Sequence, residues 1–137
     1  LQTCIALLLF TANQVPALWV QMTMQELVDR SDLILVGKLV KIINDPESGF
    51  DIGIIQVSRV IKGKDSTKEV RLQIPSRNRD VQVSTDLIYG IGQKGLWFLR
   101  LKRPGGNFSG NLYLADHPQR FQQETNVEKV LKYLTKQ

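Results

Sequence analysis

The chain has 137 residues, a net charge of +5, one cysteine and one histidine. That length fits one domain plus a short leader. A lone cysteine excludes an internal disulfide, and the Cys/His count excludes a structural zinc site, so packing alone must hold the fold together.

Residues 1–17 read as a signal-peptide-like leader. Leu1, Ile5, Leu7, Leu8, Leu9 and Phe10 form an uncharged apolar run, and Val15-Pro16-Ala17 offers small residues at a cleavage point. The run is shorter than the ~20 apolar residues of a membrane span, and Asn13 and Gln14 interrupt it. No Met, Lys or Arg precedes the run, so the sequence is expected to begin inside the leader. Cys4 falls within it. Residues 18–137 are then expected to form one secreted or periplasmic domain, a monomer with no stable membrane span.

The body opens with a short helix over Thr23–Arg30, where Thr23 and Glu26 have capping-box spacing. A long strand, Leu33–Ile43, follows. Its first half is apolar on both faces and must be covered on both sides, and Gly37 marks a bulge or bend. A turn at Asn44–Gly49 leads to a second strand, Phe50–Ile61, with Phe50, Ile52 and Ile54 alternating before Val57. The third strand, Glu69–Ile74, sets Val70, Leu72 and Ile74 against Glu69, Arg71 and Gln73, and Pro75 ends it.

Within Ser76–Lys94, Val81 and Val83 suggest a short strand, and Leu87, Ile88 and Ile91 are expected against the barrel mouth. Leu96–Leu101 is the most apolar strand and holds Trp97 and Phe98. A hairpin tip at Lys102–Asn107 turns the chain back into Leu112–Ala115, and Phe121 is placed to plug one barrel end. A second capping box, Thr125 and Glu128, is expected to open an amphipathic helix reaching about Leu134. The fold class is therefore mainly β: a five-stranded OB-like closed barrel with a short N-terminal helix and a C-terminal amphipathic helix.

Three segments in order, Ser31–Gly37, Val60–Gly63 and Tyr89–Leu99, resemble those of exported bacterial OB-like barrel domains. These are similar in fold to tissue inhibitors of metalloproteinases and netrin modules. The resemblance implies the barrel, and no activity comes with it. Those inhibitors place a processed N-terminal cysteine on a catalytic zinc, whereas Cys4 lies in the leader, so that mechanism is not implied here.

No catalytic residues are expected. His117 in Asp116-His117-Pro118 reads as a turn histidine capped by the aspartate, and no nucleophile-elbow motif surrounds Ser84 or Ser109. A hydrolase would need His117 within reach of a serine and a carboxylate. Asp45, Glu47 and Asp51 lack the spacing of a calcium loop and read as turn and solubility residues. Gly90-x-Gly92-x-x-Gly95 runs into a strand, whereas a dinucleotide cradle opens a helix. No metal or cofactor is expected.

The binding candidates are Arg77 and Arg79 in one loop and Lys102 and Arg103 at a hairpin tip, a basic cluster suited to an acidic partner. The function expected is a non-enzymatic module recognising a protein or peptide through loops at one barrel end. Single-stranded nucleic-acid binding is the alternative, weakened because Trp97, Phe98 and Tyr113 sit where a core would use them. Protease inhibition without cysteine chelation is a sub-case.

Overall fold

The computed structural model describes residues 20–44, 50–63, 68–75, 89–102 and 111–135. Helix α1 spans Met24–Asp29, and Thr23 and Glu26 form the reciprocal capping box. The last carbonyls of α1 are also satisfied. Ser31 Oγ donates to Leu27 O at 2.6 Å and Lys62 Nζ to Val28 O at 2.8 Å.

Strands β1 (Leu33–Ile43), β2 (Phe50–Lys62), β3 (Glu69–Pro75), β4 (Lys94–Leu101) and β5 (Leu112–Leu114) follow. They hydrogen-bond in the order β1-β2-β3-β5-β4, and a β1–β4 pairing closes the barrel. All contacts are antiparallel except β3–β5. The fold is a five-stranded OB-like closed barrel. A short strand β6 (Phe121–Gln122) adds to β4, and helix α2 spans Val127–Thr135.

The two-faced apolarity of β1 has a direct structural cause. Leu33, Leu35 and Leu39 fill the barrel interior with Ile55, Leu72 and Trp97. Ile34 and Val36 point the other way, into a second core with Leu27 and Val28 of α1, Phe98 of β4 and Val130 of α2. The helices thus cover the outside of β1 and β4, and from β2 only the end of the strand, at Ile61, packs against that second core among the described residues.

Gly37 stands opposite Gly95 across the closure, at a register shift in the β1–β2 ladder. A Cβ on Gly37 would lie 2.7 Å from both Gln56 O and Ile55 Cγ2. One contact is backbone and cannot rotate away. Gly37→Ala should therefore lower the unfolding free energy by about 1–3 kcal/mol, measured by urea denaturation.

One expectation at the C-terminal end is corrected. Thr125 does not cap α2: it lies inside a 3-10 turn, Glu124–Asn126, whose cap residue Gln123 makes no side-chain cap bond. The chain winds from that turn directly into α2, and the expected stripe holds, with Val127 and Val130 buried. Phe121, expected at a barrel end, does meet the barrel core. Its ring packs from β6 against the interior core, with its centroid 4.6 Å from that of Trp97.

The 1–17 leader, the Val81–Val83 strand and Leu87 and Ile88 lie outside the described residues; Ile91, expected against the barrel mouth, is instead exposed in a turn. Among the described residues, no helix is long and apolar enough to cross a membrane.

Candidate functional site

The strand register decides which side chains leave the barrel. A Cβ on Gly53 would point at Leu39 Cδ1 and Leu72 Cβ, so Gly53 faces the interior. Ile55 and Val57 share that side and pack in the inner core. By alternation Asp51 also faces inward, and it is fully buried. Asp51 is therefore not the solubility residue its composition suggested. Asp45 and Glu47 lie outside the described residues.

Phe50, Ile52 and Ile54 consequently lie on the outer side, where Ile52 is nevertheless buried and Phe50 and Ile54 half-buried. Across that face one register row runs Lys41 on β1, Ile54 on β2, Arg71 on β3 and Leu112 on β5. Lys102 continues it, its backbone N–H donating to Leu112 O at 2.9 Å. Cations and aliphatic side chains alternate along the whole row.

Beside this row is a groove of about 530 Å³, lined by Val40, Lys41, Ile43, Ile54, Lys68, Glu69 and Arg71. Lys41, Lys68 and Ile43 are exposed, whereas Ile54 and Arg71 are half-buried.

Lys102 ties three segments together. Its ammonium lies over the Phe50 ring, 4.7 Å from the centroid, and donates to Gln73 Oε1 on β3. The base of the β4–β5 connection therefore touches the start of β2, where the chain returns from β1. A cation over an aromatic face contributes about 0.5–1 kcal/mol at an accessible site. Of the four expected binding residues, Lys102 is thus placed at one edge of the outer face, and Arg77, Arg79 and Arg103 lie outside the described residues.

A second polar cluster lies where β4 meets the chain after β5. Arg120, only 4% exposed, donates through Nη1 to Ser31 Oγ at 3.1 Å and Phe98 O at 3.2 Å. Its Nε stands 3.5 Å from Asp116 Oδ1 without a hydrogen bond. Arg100 Nη2 donates to Asp116 Oδ2 at 2.5 Å. Burial lowers the Arg120 pKa, against the pull of Asp116, and raises that of the Tyr89 phenol, which donates to Ala115 O at 2.8 Å. Burial also tends to raise the Asp116 carboxyl. The Arg100 hydrogen bond and the Arg100 and Arg120 charges outweigh it and hold the carboxyl below its usual range.

Asp116 therefore stabilises the fold above its unfolded pKa of about 3.9, and that contribution is lost as pH falls through the lower folded value. The carboxylate is 46% exposed, so its share should stay under about 1 kcal/mol. Asp116→Asn should flatten the acid limb of stability between about pH 5 and pH 2, read from urea midpoints.

His117 is a turn histidine, but its ring is held by backbone groups, which corrects the expected aspartate cap. Nδ1 accepts from Gln119 N–H at 3.1 Å, so Nε2 carries the proton and donates to Val20 O at 2.7 Å. Gln119 adds two bonds to Met22, one to its N–H and one to its carbonyl, both 2.8 Å. Together they strap residues 20–22 to the 3-10 turn Pro118–Arg120. The buried Ser31 hydroxyl donates to Leu27 O. A groove of about 540 Å³ runs past this cluster, with Asp29, Arg30 and Asp32 on its wall beside the Asp116 network. Its charges are matched: three aspartates face Arg30, Arg100 and Arg120.

Residues Lys41, Ile54, Lys68 and Leu112 of the outer row and groove were not foreseen as functional. The signal that could have found them is the phase of β2, since Gly53, Ile55 and Val57 form an alternation opposite to Phe50, Ile52 and Ile54. Comparison with known families finds no family model that matches the chain, and no curated protein matches it either.

Proposed function

We propose that this chain is a non-enzymatic binding module that recognises a protein or peptide partner on the outer face of β2 and β3. Phe50 at the start of β2 and Lys102 just after β4 border that face. The observation that carries the reading is the Lys102 contact, which sets a cation from the end of β4 on Phe50 and Gln73, on the same outer face as the groove. Barrels of this topology use the same face to bind oligonucleotides and oligosaccharides, so it can hold a polymer chain. A secreted or periplasmic setting suits a module that meets its partner outside the cytoplasm. The similarity to exported barrel domains is part of this reading.

Random peptides displayed on phage and selected on the immobilised full chain test it. Enriched peptides should bind wild type and lose affinity for Lys102→Glu. Failure to enrich any peptide, with salt-sensitive binding of a single-stranded oligonucleotide instead, contradicts the reading and favours nucleic acid.

A further inference from the structure

The geometry points to an acidic peptide in extended, polyproline-like conformation as the partner, lying across the strands along the Lys41–Ile54–Arg71–Leu112–Lys102 row. This inference rests on the binding reading above and adds the chemistry of the ligand.

Charge gives the first argument. Lys41, Lys68 and Arg71 line the groove against one carboxylate, Glu69. Lys102 adds a further cation to the same face, its ammonium lying on Gln73 and the Phe50 ring. Such a surface attracts a negatively charged chain and repels a basic one.

Orientation gives the second. The groove takes its walls from β1, β2 and β3 together, so an occupant crosses the strands. Neighbouring strands stand about 4.8 Å apart, which puts cations on every second strand about 10 Å apart. A polyproline-like chain advances about 3.1 Å per residue with three residues per turn, so residues three apart share a side at about 9.3 Å. Carboxylates three residues apart can therefore meet Lys41 and Arg71 in turn, and the residues between them face Ile54 and the groove's Val40 and Ile43.

Side-chain shape separates this partner from a nucleic acid. Bases bind single-strand grooves by stacking on aromatic faces. The apolar members of this row and groove are aliphatic, and one face of the nearby Phe50 ring is occupied by the Lys102 ammonium.

The test is fluorescence anisotropy with the full chain and four labelled probes. These are a Glu-Pro-Val repeat peptide, the Gln-Pro-Val counterpart, a peptide of the first composition with its glutamates in one block, and an oligothymidylate. The Glu-Pro-Val repeat should bind at least about tenfold tighter than the Gln form and more tightly than the block peptide. Its affinity should fall as salt rises. Lys41→Glu with Arg71→Glu should abolish that preference, while Lys129→Glu with Lys132→Glu on the exposed side of α2 should leave it intact. Circular dichroism checks that each variant is folded.

Equal binding of the Glu and Gln repeats overturns the acidic ligand while leaving peptide recognition standing. Equal binding of repeat and block peptides overturns the three-residue spacing. Preference for the oligothymidylate overturns both this inference and the reading beneath it.

Discussion

Replacing Trp97 with alanine should lower the unfolding free energy by about 3–5 kcal/mol, measured by urea denaturation. A domain of this size has a total stability of about 5–15 kcal/mol, so the variant should sit near the edge of folding. Trp97 is fully buried and meets Tyr89 and Phe121 edge to face, with ring centroids 5.3 and 4.6 Å away. Its indole N–H also donates to Gly37 O at 3.0 Å, at the glycine pair where the barrel closes. Removing the ring opens a cavity and leaves that carbonyl without the indole donor. Trp97→Phe separates the two effects, since it keeps most of the packing and loses the hydrogen bond. It should cost about 1–3 kcal/mol.

Arg120→Ala should cost about 3 kcal/mol, because it removes the donor that two buried acceptors share. Ser31 Oγ and Phe98 O both receive bonds from Nη1, and Nη2 lies 3.5 Å from Arg30 O. The guanidinium thus joins the end of α1 to β4 and to the 3-10 turn it sits in. Arg120→Met should recover part of the loss: the side chain keeps its volume and the cost of burying a charge disappears with the charge. A methionine variant as unstable as alanine would show that the hydrogen bonds outweigh desolvation. Neither substitution touches the outer face, so ligand affinity should hold wherever the protein remains folded.

These two residues mark the limits of what the sequence reveals. Val70, Leu72 and Ile74 alternate with polar neighbours, so β3 has one possible phase and its buried face is legible. Thr23 and Glu26 fix the start of α1 by local chemistry alone. In β1 the doubled apolarity correctly required cover on both sides, though not which elements supply it.

β2 was harder because both of its alternations are plausible. Phe50, Ile52 and Ile54 look like a core face, yet the smaller set around Gly53 and Ile55 points inward. A wrong phase there moves the whole cationic–aliphatic row from view. Asp51 inside the barrel and Arg120 beneath α1 were also invisible, since charged residues are seldom buried and only the tertiary partners make it tolerable. Lys102 was legible as a basic loop residue. Its contact with Phe50 joins positions far apart in the chain, and no local pattern encodes that.

Backbone amide chemical-shift mapping of the full chain, titrated with the Glu-Pro-Val repeat, tests the central claim most directly. The largest changes should fall on Lys41, Ile54, Arg71, Lys102 and Leu112, with α2 unmoved. Changes concentrated on α2 or around Arg100, Asp116 and Arg120 would contradict the assignment of the outer β2–β3 face as the recognition surface.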